Sequence, residues 1–143
     1  DVVGDAPALY HQDIVRTWSE FEERSARLAS VLLAHGVGHD SKVAHYLYNG
    51  PEYLEATFAS FKARAVPVNV NYRYTDAELS YLLDNSDAEA IVVGSRGENA
   101  VSRNSSRARA SRSTPRLEDP AASSACVAVQ RSPTRMLIAM LSR

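Results

Sequence analysis

Between Ala63 and Thr75 the apolar pattern of the chain changes period twice. The helical spacing of Tyr53, Leu54, Phe58 and Phe61, with small alanines between them, runs out near Arg64. Val66, Val68 and Val70 then alternate with Pro67, Asn69 and Asn71, the period-two signature of a strand. Thr75-Asp76-Ala77-Glu78 follows as a capping box. The cap hydroxyl accepts from the glutamate amide, and the carboxylate reaches back to the N–H of the cap. A helix, a buried strand and a helix in so short a run imply an α/β fold built around that strand.

The neighbouring stretches extend the alternation. Ala8–His11 and Ile14–Arg16 are strand-like and are joined by Gln12-Asp13, which predicts a hairpin. Thr17-Trp18-Ser19-Glu20 is a first capping box, and the helix it opens runs to about His35. Phe21, Leu28 and Leu32 share one face of that helix, and Gly36 stands where a left-handed residue ends it. Lys42–Leu47 reads as a strand, and Pro51 suits the first turn of the next helix. Leu79, Leu82 and Leu83 form the apolar face of a third helix, ended by Asn85-Ser86-Asp87. Ala88–Val93 is a last strand, closed by Gly94. Strands alternating with helices predict a mainly parallel sheet with right-handed crossovers. It is an incomplete one, in which some helix faces lack their usual cover.

Charge divides the chain at Gly94. Up to that residue seven Lys and Arg stand against fourteen Asp and Glu, whereas from Ser95 onward nine Arg stand against three acids. All aromatic residues lie at or before Tyr81. The expected organisation is therefore a folded unit over 1–94 and a disordered Arg/Ser/Ala-rich tail over 95–143. Cys126 is the single cysteine, so no internal disulfide forms. No apolar run is long enough to span a membrane. The first residues lack the basic start and apolar core of a signal peptide, and a cytoplasmic location is expected.

Signals of chemistry are sparse. Gly36-Val37-Gly38 follows a helix and precedes a strand, the reverse of a dinucleotide loop, and reads as capping. His35 and His39 are four apart, but the glycines between them break the shared helical face a metal would need. His45 falls in a strand and reads as a core or edge residue. No Gly-x-Ser-x-Gly elbow occurs, and Cys126 has no base near it in sequence. Tyr72-Arg73-Tyr74 is suited to stacking on a ring, although packing at a strand end is the plainer reading. Arg103–Ser113 resembles arginine–serine segments that touch RNA, but no aromatic is interleaved to stack bases, so no specific nucleic acid is expected. No residue is assigned to catalysis, to cofactor binding or to a metal.

Several stretches in order carry a resemblance: Val15–Trp18, Glu23–Ala29, Lys42–Ala56 and, most specific, Phe61–Tyr74 with Thr75–Leu83. Together they resemble the start of the AMP-forming acyl-CoA synthetases of the acyl-adenylate-forming superfamily, in the flavour of actinobacterial fatty-acyl-CoA synthetases. The resemblance covers about Pro7 to Val93. It implies an enzyme that activates a carboxylic (fatty) acid with ATP and Mg2+ and passes the acyl group from its adenylate to coenzyme A. Such enzymes use a Ser/Thr/Gly-rich loop ending in Lys and a later catalytic Lys. Here Lys42 and Lys62 are the only lysines, both inside the matched region, so the ATP-binding and catalytic motifs are absent. His39-Asp40-Ser41 also replaces the family's usual Pro-Gly-Asp turn.

The expectation is an N-terminal fragment of a fatty-acyl-CoA synthetase, inactive alone and binding no cofactor itself. Acyl substrate and oligomeric state stay open. The alternative is a non-enzymatic protein-interaction piece whose basic tail binds nucleic acid weakly; a third option is a gene product without selected function. After Val93 the family pattern stops, and the tail has the composition of a GC-rich gene read out of frame. A frameshift near Gly94 is our hypothesis for it, and sequencing the DNA through that codon tests it.

Overall fold

The structure, a computed structural model, describes residues 3–94 in full and the backbone of Ala125–Gln130 and Met136–Leu141. Strands β1 (Pro7–His11) and β2 (Ile14–Thr17) pair antiparallel as a separate two-stranded sheet. Their turn places Gln12 in the left-handed region, at φ 50°. Helix α1 (Trp18–Ala34) begins at the expected capping box. Thr17 Oγ1 accepts from the Glu20 N–H at 3.2 Å, and Glu20 Oε2 accepts from the Thr17 N–H at 3.0 Å. The helix ends as the glycine predicts: Gly36 adopts φ 80°, and the Val37 N–H donates to Leu32 O at 3.0 Å.

Strand β3 (Lys42–Tyr46), helix α2 (Pro51–Lys62), strand β4 (Val66–Asn69), helix α3 (Asp76–Ser86) and strand β5 (Ala88–Gly94) follow in order. β4, β3 and β5 lie side by side in that spatial order, all parallel. The connection through α2 moves one strand outward from β3. The connection through α3 returns past β3 to its other side. Right-handed crossovers running in opposite senses put the two helices on opposite faces of the sheet, and burial agrees. Val43, Leu47, Ala90 and Val92 pack with Leu28, Leu32, Ala56 and Ala59 of α1 and α2. Ala44, Tyr46, Ile91 and Val93 pack with Leu79, Leu82 and Leu83 of α3. Successive residues of β3 and β5 thus enter two different cores, which is why their sequences are apolar without strict alternation.

Three expectations need correction. The strand at Val66 is not the buried centre of the sheet. It is an edge strand with Val66 45% exposed, and the middle one of the three parallel strands is β3, buried from Val43 to Tyr46. Pro67 has no N–H to donate, and an edge tolerates it. The second correction concerns the face of α2. Ala56, Ala59 and Ser60 are buried, while Leu54, Phe58 and Phe61 are 39%, 42% and 57% exposed. The small residues let the helix sit close to the sheet, so the aromatic rings are turned outward. The third concerns the tail. Strands β6 (Ala125–Gln130) and β7 (Met136–Leu141) extend the sheet from β5, each antiparallel to its neighbour. They are the tail's two uncharged, largely apolar runs, which its average composition conceals. The remaining tail, including Arg103–Ser113, lies outside the described residues.

Thr75 caps α3 as Thr17 caps α1. Its Oγ1 accepts from the Glu78 N–H at 3.4 Å, and its own N–H donates to Glu78 Oε2 at 2.8 Å. These bonds hold the Glu78 carboxyl below the usual carboxylate range. Thr75→Ala is expected to cost about 1 kcal/mol of stability, read as a lowered urea midpoint at unchanged slope.

Candidate functional site

In open parallel sheets, ligands favour the carboxyl ends of adjacent strands whose following helices leave to opposite faces. β3 and β4 are such a pair, because α2 and α3 leave them in opposite directions. The segments that emerge there are Leu47–Gly50 and Val70–Tyr74, so the sheet topology picks out this crevice independently of any motif.

The second segment is shaped by its asparagine. Asn71 Oδ1 accepts from the Arg73 N–H at 3.0 Å, and the Tyr74 N–H donates to Asn71 O at 3.1 Å. This Asx turn carries the chain from β4 into the Thr75 cap. The buried Tyr46 hydroxyl supports it from below, donating toward Tyr72 O at 3.3 Å and Tyr74 O at 3.5 Å. On the outside, the Tyr48 and Tyr72 rings lie 4.5 Å apart, tilted by 35°. The Arg73 guanidinium sits 5.5 Å from the centre of the Tyr72 ring. Tyr48 is 49% exposed and Tyr72 36%. The trio is therefore engaged in packing, as its plainer reading has it. Its Tyr48 partner comes from the segment that follows β3 and is not singled out by the sequence. The cluster offers π surface and one cation, which can hold a flat or anionic group. It contains no pair that could move a proton to a nucleophile.

One buried histidine–serine pair invites a catalytic reading and does not support it. His45 Nε2 lies 3.1 Å from Ser60 Oγ, and both residues are fully buried. The single Ser60 hydroxyl proton is directed to Ala56 O at 2.9 Å. Assigned from that network, His45 Nε2 carries a proton and donates it to Ser60. A serine nucleophile needs the opposite polarity, with the histidine accepting. Nδ1 has no hydrogen-bond partner, and the ring stands edge-on to Tyr53 at 5.9 Å. Burial pushes the His45 imidazole down to about 4, so it is neutral at pH 7.

The other sequence candidates scatter. His35 Nδ1 is 2.8 Å from Val31 O at the end of α1, while His39 lies on the surface 3.1 Å from Asp40 Oδ2. Gly38 donates its N–H to Ser41 Oγ, and a Cβ there would meet nothing within 4 Å. It is a turn residue and not a close-fitting cradle. The Cys126 side chain lies outside what is described. A feature unforeseen in the sequence is the ion pair of Arg24 with Glu55, at 2.6 Å between Nε and Oε1. It ties α1 to α2, and the Glu55 hydrogen bond raises the Arg24 pKa against the effect of burial.

Comparison with known proteins agrees with this geometry. The profile of the AMP-binding enzyme family matches residues 1–139. It runs past Val93, where the sequence reading had ended the pattern. A 3-oxocholest-4-en-26-oate–CoA ligase of Rhodococcus rhodochrous is 44% identical over 92 residues, covering 64% of this chain and 17% of that enzyme. A benzoate CoA ligase from Burkholderia xenovorans shares the fold at TM-score 0.69 and 24% identity, over 74% of this chain and 22% of that one. The N-terminal subdomain of NpsA from Klebsiella oxytoca matches at TM-score 0.56 and 26% identity, over 62% of this chain and 23% of that one. The chain thus spans under a fifth of the length of this Rhodococcus relative. Its parallel β4-β3-β5 core, the profile match and these relatives together place it: the chain belongs to the AMP-binding enzyme family, alongside the N-terminal portions of adenylate-forming CoA ligases.

Proposed function

We propose that residues 3–94 form the N-terminal scaffold of an ATP-dependent carboxylic acid–CoA ligase, and that the chain alone does not catalyse the reaction. The acid we expect is apolar, of the fatty or steroid side-chain type. The observation that carries this reading is the 44% identity over 92 residues with a ligase named for a steroid acid. ATP, Mg2+ and coenzyme A would be substrates and cofactors of the whole enzyme, and the described residues do not fit them. Lys62 is paired with Glu22 at 2.5 Å, and Lys42 lies 3.7 Å from Asp87. Neither stands in a phosphate-gripping loop. No three His, Cys, Asp or Glu side chains converge to hold an ion among the described residues. The role left to this stretch is mechanical: two packed cores hold β3, β4 pairs along its edge, and the carboxyl ends of the two strands form one wall of a crevice.

A chimera tests this. Residues 3–94 replace the aligned segment of the Rhodococcus ligase, and CoA-thioester formation from the steroid acid is followed. The chimera is expected to retain activity within about tenfold, while the isolated 143-residue chain gives no ATP–pyrophosphate exchange. Exchange by the isolated chain, or a folded chimera without activity, would overturn the proposal.

A further inference from the structure

We infer that the outer face of α2 is an interior seam of the complete ligase, the surface on which the remainder of that enzyme packs; this rests on the ligase reading above. α2 carries two apolar faces. One consists of Ala56, Ala59 and Ser60 and meets the sheet. The other consists of Leu54, Phe58 and Phe61, all more than a third exposed. A helix that is apolar on both sides belongs between two layers.

The exposed rings form an ordered row. Trp18 and Phe21 meet edge-on at 6.2 Å, Phe21 and Phe58 at 4.9 Å, and Phe58 and Phe61 at 6.2 Å. Phe21 is buried, but Trp18 is 46% exposed beside it. The exposed Lys62–Glu22 pair adjoins the row beside Phe61 and Phe21. Clustered aromatic residues beside a polar rim are the anatomy of a specific protein interface. The occupant follows from length. The aligned stretch is 17% of the Rhodococcus ligase, so the greater part of that enzyme lies outside it and is available to cover this unit. The opposite face of the sheet already has α3 as its cover. The α2 row is where the helix cover is itself uncovered.

Trp18 is the single tryptophan and sits on the row, so it reports occupancy directly. The full 143-residue chain, labelled with 5-fluorotryptophan, is mixed with the part of the Rhodococcus ligase outside the aligned segment. A shifted fluorine resonance and a one-to-one complex in sedimentation are expected. Phe58→Ser/Phe61→Ser should weaken that complex at least tenfold while the lone chain stays folded, its urea midpoint lowered by the lost Phe58–Phe21 contact. Tyr81→Ser, 71% exposed on α3, should leave binding unchanged. Unweakened binding by the Phe58/Phe61 variant overturns the seam. So does self-association of the chain that the same variant abolishes, which would assign the row to a second copy. If the parent chain does not bind at all, the seam also fails. An active chimera then confines that failure to the seam, and an inactive one extends it to the ligase reading.

Discussion

Arg24→Met is expected to destabilise the fold by about 3 kcal/mol, and Arg24→Met/Glu55→Met to restore most of the loss. Glu55 lies on α2, 5% exposed, and its partner is 31 residues away on α1. Removing Arg24 leaves a carboxylate shielded from water with its closest cation gone. Loss of one member of a buried pair costs roughly 3–5 kcal/mol. The Arg24 side chain keeps 18% exposure, so water screens part of the interaction and the lower end applies. Two methionines of similar length instead bury methylene and sulfur against the same helices and need no partner. Urea unfolding of the parent, both single variants and the double variant closes the cycle. A single-variant loss below about 1 kcal/mol, or a double variant no better than Arg24→Met, would show that the pair is not what holds α1 to α2.

That pair also shows where sequence reading stops. Local signals were legible because their partners lie within a few residues. The Thr17 and Thr75 capping boxes, the Gly36 helix end and the Gln12-Asp13 hairpin turn all occur as read. Nothing within one helix reveals a carboxylate on another, so the sequence around Arg24 carries no sign of its partner Glu55. The α2 error has a similar cause. Periodicity shows that Leu54, Phe58 and Phe61 share a face, but the close approach permitted by Ala56 and Ala59 decides which face meets the sheet. Strand order is likewise a property of the whole sheet, so the alternation at Val66–Val70 does not reveal an edge; the one local sign is Pro67, whose missing N–H suits a strand's start or an edge. Arg64 is a sharper case. It adopts φ 61° just after α2, a position at which glycine would be unstrained, and its side chain gives no hint of it. At the candidate crevice the packing of Tyr72–Tyr74 at a strand end is legible from its residue types, and the Asn71 turn that shapes it is not. The contact of Tyr72 with Tyr48 needed the parallel pairing of β3 with β4.

His45 predicts how the whole unit responds to acid. Its imidazole lies on β3, between β4 and β5, donates through Nε2 to Ser60 and leaves Nδ1 without a partner. Protonating Nδ1 would put a charge between β3 and α2 with nothing to receive the new N–H. Burial accordingly lowers the pKa to about 4 in the folded state, against about 6.5 in an unfolded chain. Between those values the unfolded chain binds more protons, so stability is full above pH 6.5 and falls as the pH drops toward 4. The separation corresponds to about 3 kcal/mol lost by pH 4. Carboxylates titrate in the same range, so the parent's curve alone does not isolate the histidine. His45→Gln keeps an N–H donor for Ser60 and removes the titration. The difference between the two stability curves, from urea unfolding at pH 7, 6, 5 and 4, is expected to close steadily as the pH falls. The variant should therefore be relatively more stable in acid, whatever the substitution costs at pH 7. A difference that stays constant over that range would mean that the folded imidazole takes up its proton near the unfolded pKa, and that water or a partner reaches Nδ1 through the sheet.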